Sequence, residues 1–516
     1  MSPLRHVLQA GAILLIALLA AAATVAVAMP AIATPAARPP TMAIVVRDQT
    51  PLRAAPRDSA QQQAVLWAGE VVEVRGERMD YLQVWDHGRE RGGFVRASQV
   101  HRSALAAADA PELLALVRFV RDNPGGEGLG IGIAAAYLHA APVEALQGAA
   151  GVEAFDALGT LADRLAQRAS VVAPAGAVQS KAAEAALAAH LEVARHYGVR
   201  FTSFEREGRM QICYDGEAFR RVLAMVSQPM QRARAALALT RPECFDPTLG
   251  VRERASLDEW RAGVLDRVDT SLLPAYLRNR VAMRRAGLWS ALAYQRTRQG
   301  EAGNAAAERA LAELAVVDKA ELTDDDMGPY NDAAMRVNAS RWAATLAGGA
   351  GAVAKGSGPT LTTVVGEPGQ TCVLVVDAKH DAAQPLVRRC TFGIVWIAST
   401  TRSRESNALA VAVQPMAAWR ELWVFRKTAD GWAASVLPPA SSTPEIGVAE
   451  FAGWVPGGKQ MLVAREARGE GKHRRSFEIV RIDSLATERQ ASDPVMLGAF
   501  QRWQDPAWKR ETVSLR

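Results

Sequence analysis

Eight histidines are the scarce groups in this 516-residue chain that could serve as a base near neutral pH. His87 and His101 fall early, His139, His190 and His196 in the middle, and His380 and His473 late. None has a serine or cysteine at a family-like spacing, and neither a Gly-x-Ser-x-Gly elbow nor a His-Glu-x-x-His zinc pair occurs. His190 and His196 lie six residues apart, on different faces of one expected helix, and read as surface or interface groups. No catalytic residue, metal or cofactor is therefore assigned.

Three other stretches resemble ligand loops in part. Residues 128–135, Gly-Leu-Gly-Ile-Gly-Ile-Ala-Ala, hold a Gly-x-Gly-x-x-Ala pattern, but a dinucleotide site needs a strand before it and here a helix and a turn precede. A glycine-loosened helix start is expected instead. Asp324, Asp325 and Asp326 lack the glycine and closing glutamate of a calcium loop and read as capping for a helix leading to Ala333. Lys355-Gly356-Ser357 scrambles the order of a phosphate loop. Arg278, Arg280, Arg284, Arg285, Arg296 and Arg298 form a run without acids. It offers a docking face for an anionic partner or, as we expect, a solvated face whose acidic partners sit on neighbouring helices.

The elements that must position any site begin at residues 44–100, where short apolar runs alternate with turn residues in the manner of a small barrel. In Glu70-Val71-Val72-Glu73-Val74-Arg75, Val72 and Val74 are expected inward, Glu73 and Arg75 outward. Pro51-Leu52-Arg53-Ala54-Ala55-Pro56, Gly69-Glu70-Val71-Val72-Glu73-Val74, and Tyr81-Leu82-Gln83-Val84 followed by Gly93-Phe94-Val95 carry a resemblance to bacterial SH3-like domains. The chain departs from that family by placing Tyr81 and Phe94 where tryptophan is usual. The resemblance implies an exported protein that binds cell-wall peptides, glycan or partner proteins, with Tyr81, Trp85 and Phe94 as the ligand-contacting candidates.

Export also follows from the N-terminus. Arg5 and His6 precede an apolar run over residues 10–28 and then Ala31-Ile32-Ala33, the order of a secretory signal. Residues 1–33 are read as a signal peptide, cleaved after Ala33 or Ala28, or as an inner-membrane anchor facing the periplasm. Residues 34–42 form a Pro- and Ala-rich spacer. Four cysteines without a Cys-x-x-Cys spacing suit an oxidising compartment, and we expect Cys213 to pair with Cys244 and Cys372 with Cys390. Lys plus Arg at 60 against Asp plus Glu at 54 is a net of +6, too mild over this length for a nucleic-acid partner.

Behind the barrel at 43–102, residues 109–345 read as helical, with a hairpin near 199–214 and buried candidates Trp260, Leu265, Leu272 and Leu273. A Gly-rich linker at 346–359 leads to a Trp-rich antiparallel β region at 360–516, which holds seven of the 12 tryptophans. There Asp430-Gly431 signals a hairpin, and residues 452–463 bear a resemblance to one repeat of a TolB-type periplasmic propeller. The fold class is multidomain α+β. The expected function is non-catalytic binding or scaffolding in the periplasm or outside the cell, toward a cell-wall component or an envelope protein. A cell-wall hydrolase targeted by the SH3-like module is the alternative.

Overall fold

Strands whose apolar and charged residues alternate bury one face and wet the other, and residues 41–103 do so repeatedly. The computed structural model describes residues 41–170, 181–206, 209–345, 358–441, 445–469 and 471–514. It opens with β1 (Thr41–Val45), β2 (Thr50–Arg53), β3 (Gln62–Leu66), β4 (Val71–Arg78), β5 (Tyr81–Asp86), β6 (Arg91–Arg96) and β7 (Val100–Ser103). These form an antiparallel sheet in the order β3-β2-β6-β5-β4-β1-β7. Ala43, Leu52, Leu66, Val72, Leu82, Val95 and Val100, one from each strand, meet in a single buried cluster. Val72 and Val74 face it as expected, while Arg75 is exposed. The segment read as signal or anchor, nearly all of the spacer and most of the Gly-rich linker lie outside the described residues.

The period then changes to that of helices. They are α1 (Ala110–Asp122), α2 (Glu127–Ala140), α3 (Val143–Gln147), α4 (Ala149–Ser170) and α5 (Lys181–His196). After the hairpin of β8 (Phe201–Arg206) and β9 (Arg209–Tyr214) come α6 (Glu217–Ala224) and α7 (Pro229–Leu239), separated where Pro229 opens a new first turn. Next are α8 (Val251–Asp266), α9 (Ala275–Arg298), α10 (Asn304–Ala315) and α11 (Asp324–Ser340). Two of the four buried candidates fail here: Leu265 and Leu273 are buried, but Trp260 is 43% and Leu272 70% exposed. The buried stripe of α8 runs through Asp258, Arg261, Ala262 and Leu265, which leaves Trp260 off it, and Leu272 sits in the turn before α9. The three aspartates occupy the first turn of α11, where Thr323 caps the helix and shares its hydroxyl with Asp326 at 2.8 Å.

The last third is β-rich. A three-stranded sheet of β10 (Thr360–Val365), β11 (Thr371–Val376) and β12 (Val387–Thr391) stands beside an eight-stranded one. The larger sheet comprises β13 (Ile394–Arg402), β14 (Ala408–Met416), β15 (Trp419–Thr428), β16 (Gly431–Leu437), β17 (Ile446–Val455), β18 (Gln460–Gly469), β19 (Lys472–Arg481) and β20 (Thr487–Ala491). Asp430 and Gly431 turn β15 into β16 as the dipeptide predicts. The pairings are antiparallel except for a short parallel contact of β15 with β17 at Trp419 and Arg420. Short helices α12 (Gly498–Trp503) and α13 (Pro506–Glu511) close the chain. Trp396, Trp419, Trp423 and Trp508 are buried, whereas Trp503 is exposed.

The cores cross the boundaries between these regions. Ile44 of β1 packs with α1 and α2, Trp396 and Ala412 pack with α7 to α9, and Ala339 of α11 packs with β17 to β19. Both expected disulfides are present, Cys213 with Cys244 and Cys372 with Cys390. Paired cysteines point to an oxidising, extracytoplasmic environment. Among the described residues no helix is long and apolar enough to cross a membrane.

Candidate functional site

On β5, Leu82 and Val84 enter the core, so Tyr81, Gln83 and Trp85 take the opposite face. Residues directly opposite on an antiparallel neighbour share that face. β6 therefore adds Gly92 beside Trp85, Phe94 beside Gln83, and Arg96 beside Tyr81. The three aromatic candidates lie on one outer surface, and none belongs to the apolar cluster beneath it.

Their environments differ. Gly92 leaves the space that the Trp85 indole covers, since a Cβ there would sit 3.3 Å from its ring. The Arg75 guanidinium stacks 4.5 Å above the Trp85 ring centre and is held from behind by Glu73 at 3.2 Å. His87 Nε2 shares that carboxylate at 2.7 Å. Bonds from Arg75 and then His87 hold the Glu73 carboxyl below its ordinary range. Phe94 is half-buried and faces Arg53 of β2 across the sheet.

Tyr81 is sealed. Only 3% of it is exposed, the Arg96 guanidinium lies 5.1 Å from its ring centre, and its hydroxyl donates to Asp58 at 2.5 Å. Arg96 also pairs with Asp58 and Asp80. The Arg96 bond, helped by Tyr81, lowers the Asp58 carboxyl to about 2. That same carboxylate, with burial, pushes the Tyr81 phenol upward. What the surface offers a ligand is thus Trp85 and Phe94, with the exposed Gln83 amide between them and Arg75 at one side. Sequence reasoning missed Asp58, Gln83 and Arg96: Gln83 shares the outer face of β5, Arg96 joins it through the pairing of β5 with β6, and Asp58 reaches it from the loop between β2 and β3.

The histidines are dispersed. His87 meets Glu73, His101 lies 3.8 Å from Glu112, His380 meets Asp377 at 2.8 Å, and His473 meets Glu466 at 2.6 Å. His190 is buried between the sheet and the helices, its Nε2 bonded to Asp48 at 2.8 Å. Among the described residues no histidine is bonded to a serine or cysteine, and no group of three or more His, Cys, Asp or Glu side chains is placed to hold a metal. No protein family, curated protein or solved structure matches this chain.

Proposed function

We propose that this chain is an exported binding or scaffold protein of the cell envelope, periplasmic or secreted, whose N-terminal sheet is an SH3-like recognition module. The observation that carries the reading is the outward placement of Trp85 and Phe94 around Gln83. Flat apolar rings beside an amide suit stacking on a sugar face or packing on a short peptide. The partner is accordingly a cell-wall component or an envelope protein. Residues 1–33 then serve as the export signal, or tie the chain to the inner membrane.

Co-sedimentation of the purified protein with isolated peptidoglycan tests this. The wild type should sediment with the sacculi and release no soluble fragments. Trp85→Ala with Phe94→Ala should weaken retention about tenfold or more, the loss of 1–2 kcal/mol typical of a stacked anchor. Retention that ignores both substitutions would sink the proposed surface. Release of soluble muropeptides would favour a hydrolase.

A further inference from the structure

On α9, Arg280 bonds Asp326 at 2.7 Å, Arg285 lies 3.8 Å from Glu313, and Arg296 lies 3.8 Å from Glu259, so these arginines find their acids on neighbouring elements as expected. Two arginines near the C-terminus do not. The side chains of Arg489 in β20 and Arg502 in α12 are exposed and make no hydrogen bond or ion pair among the described residues, yet both line one cavity of about 470 Å³.

Strand pairing builds the floor of that cavity. Residues directly opposite on antiparallel neighbours, and residues two apart on one strand, share a face. Val455 of β17 stands opposite Gln460 of β18, Leu462 opposite Ile479 of β19, and Ile479 opposite Arg489, so these side chains occupy one face of the sheet. α12 covers part of that face, where Leu497 and Phe500 pack with Leu462, Phe477 and Ile479. What it leaves uncovered, around Val455 and Gln460, is the cavity.

Two irregularities shape the walls. At the bulge in β17, Gly453 takes φ +155, and a Cβ there would lie 2.2 Å from the Trp503 carbonyl oxygen, so the end of α12 rests directly on strand backbone. That contact, with the bond from the Asp505 amide to the Ala452 carbonyl at 2.7 Å, fixes Trp503 at the rim with 41% of its surface exposed. In β20 the register shifts between Thr487 and Arg489, and Glu488 at the shift accepts from Gln460 Nε2 and lies 3.8 Å from Arg481. Glu488, the acid in the lining, is thus already engaged, and the two arginines keep their charge.

We propose that this cleft binds an acidic sugar, a pyranose bearing one carboxylate. Two guanidiniums without acceptors offer the carboxylate a forked set of N–H donors. Val455, Ile479 and the exposed Trp503 suit the C–H face of the ring, while the Gln460 amide and the Glu488 carboxylate suit its hydroxyls. A hydrocarbon acid would cover those two polar groups without giving them partners, which disfavours it. A phosphate dianion would meet stronger repulsion from Glu488 than a carboxylate does. The site shares no residue with the aromatic surface of β5 and β6, and does not depend on that reading.

Calorimetric titration of the whole protein with methyl glucuronide, methyl glucoside and cyclohexanecarboxylate separates the contributions of charge and hydroxyls. The glucuronide should bind saturably, one to one, and at least about tenfold more tightly than either the uncharged sugar or the acid without hydroxyls. A short oligomer of the same uronic acid that binds tighter still would assign a unit of an acidic polysaccharide as the ligand, and equal binding would assign the free sugar acid. Arg489→Gln and Arg502→Gln should each weaken glucuronide binding about tenfold, the loss of one charge-assisted contact. Both side chains are exposed, so the variants should unfold at the wild-type temperature. Absence of saturable glucuronide binding, equal binding of the glucoside or of cyclohexanecarboxylate, or undiminished binding by the double arginine variant would overturn the proposal.

Discussion

Glu450 shows how much one side chain organises. It is 4% exposed and accepts from Trp508 Nε1 and Thr512 Oγ1 at 2.8 Å, from Arg341 at 3.3 Å, and from Arg420. Arg420, itself 1% exposed, also donates to the Asn338 carbonyl at 2.6 Å. The C-terminal end of α11, β15, β17 and α13 are thereby tied at one carboxylate. Burial alone would push that carboxyl up, but the charges of Arg341 and Arg420, with the Thr512 and Trp508 bonds, outweigh it and hold the group below the ordinary range. A carboxyl depressed in the folded state stabilises the fold above its unfolded pKa, and that share is lost as pH falls through the folded value. Glu450→Gln leaves two buried arginines short of an anion and should cost about 3–5 kcal/mol at neutral pH, read by urea denaturation. The variant should also lose less stability than the wild type as pH drops from 5 toward 3, roughly the range over which a depressed carboxylate titrates. Equal slopes in that range would contradict the assignment. Nothing in the residues around Glu450 announces this in the sequence, because its four partners come from segments as far apart as Arg341 and Thr512.

At the scale of elements, the glycines of α2 mark where local and tertiary signals part. The run from Gly128 reads as a loosened helix start, and a helix does begin there, at Glu127, continuing through all three glycines to Ala140. Their reason is close approach: a Cβ on Gly132 would fall 2.3 Å from the Gly69 carbonyl oxygen, and one on Gly128 would fall 2.8 Å from the His190 ring. Gly69, in the turn before β4 at φ +96, likewise abuts Gly128, and its carbonyl accepts from the Tyr197 hydroxyl at 2.7 Å. The N-terminal sheet is therefore seated on α2 and α5 through backbone, which periodicity cannot reveal. Gly132→Ala should destabilise by about 1–3 kcal/mol, since neither backbone can yield cheaply. Gly263→Ala, inside α8 with open space around it, should instead stabilise by roughly 0.5–1 kcal/mol. Thermal denaturation of the two single variants reads both signs. Elsewhere the elements were plain in the pattern: Leu82 and Val84 alternate with polar or aromatic neighbours, Leu113, Val117 and Val120 repeat at helical spacing, and Asp430-Gly431 names its turn. β20, Thr-Glu-Arg-Gln-Ala, has no apolar alternation and is a strand only because β19 offers it an edge.

For the molecule as a whole, the two disulfides connect compartment to stability. Cys213 sits in β9 and Cys244 in the turn after α7, so their bridge joins the hairpin to the helical layer across 31 residues. Cys372 and Cys390 face each other in the pairing of β11 with β12, across 18 residues. Both pairings were legible because each pair is close in sequence, whereas the shared cores that join sheet to helix and helix to sheet were not. In the chain-entropy account, loops of this size shift stability by about 3–4 kcal/mol each, by restricting the unfolded chain. The first bridge should matter to more than its own loop. It fixes the 3₁₀ turn at Pro242–Cys244, beside which Arg241 reaches Asp163 of α4 at 2.5 Å and Glu243 at 2.9 Å. Cys213→Ser with Cys244→Ser should then lower the unfolding free energy by about 3–4 kcal/mol and also speed amide hydrogen exchange in the turn at Pro242–Cys244. Cys372→Ser with Cys390→Ser should cost a similar amount of stability while leaving exchange in that turn unchanged, because this bridge joins only β11 and β12. Reduction of the wild type should reproduce the sum of the two stability losses. Exchange that speeds equally in both double variants would mean that the change comes from general loosening, and would remove the link between the first bridge and the turn it anchors.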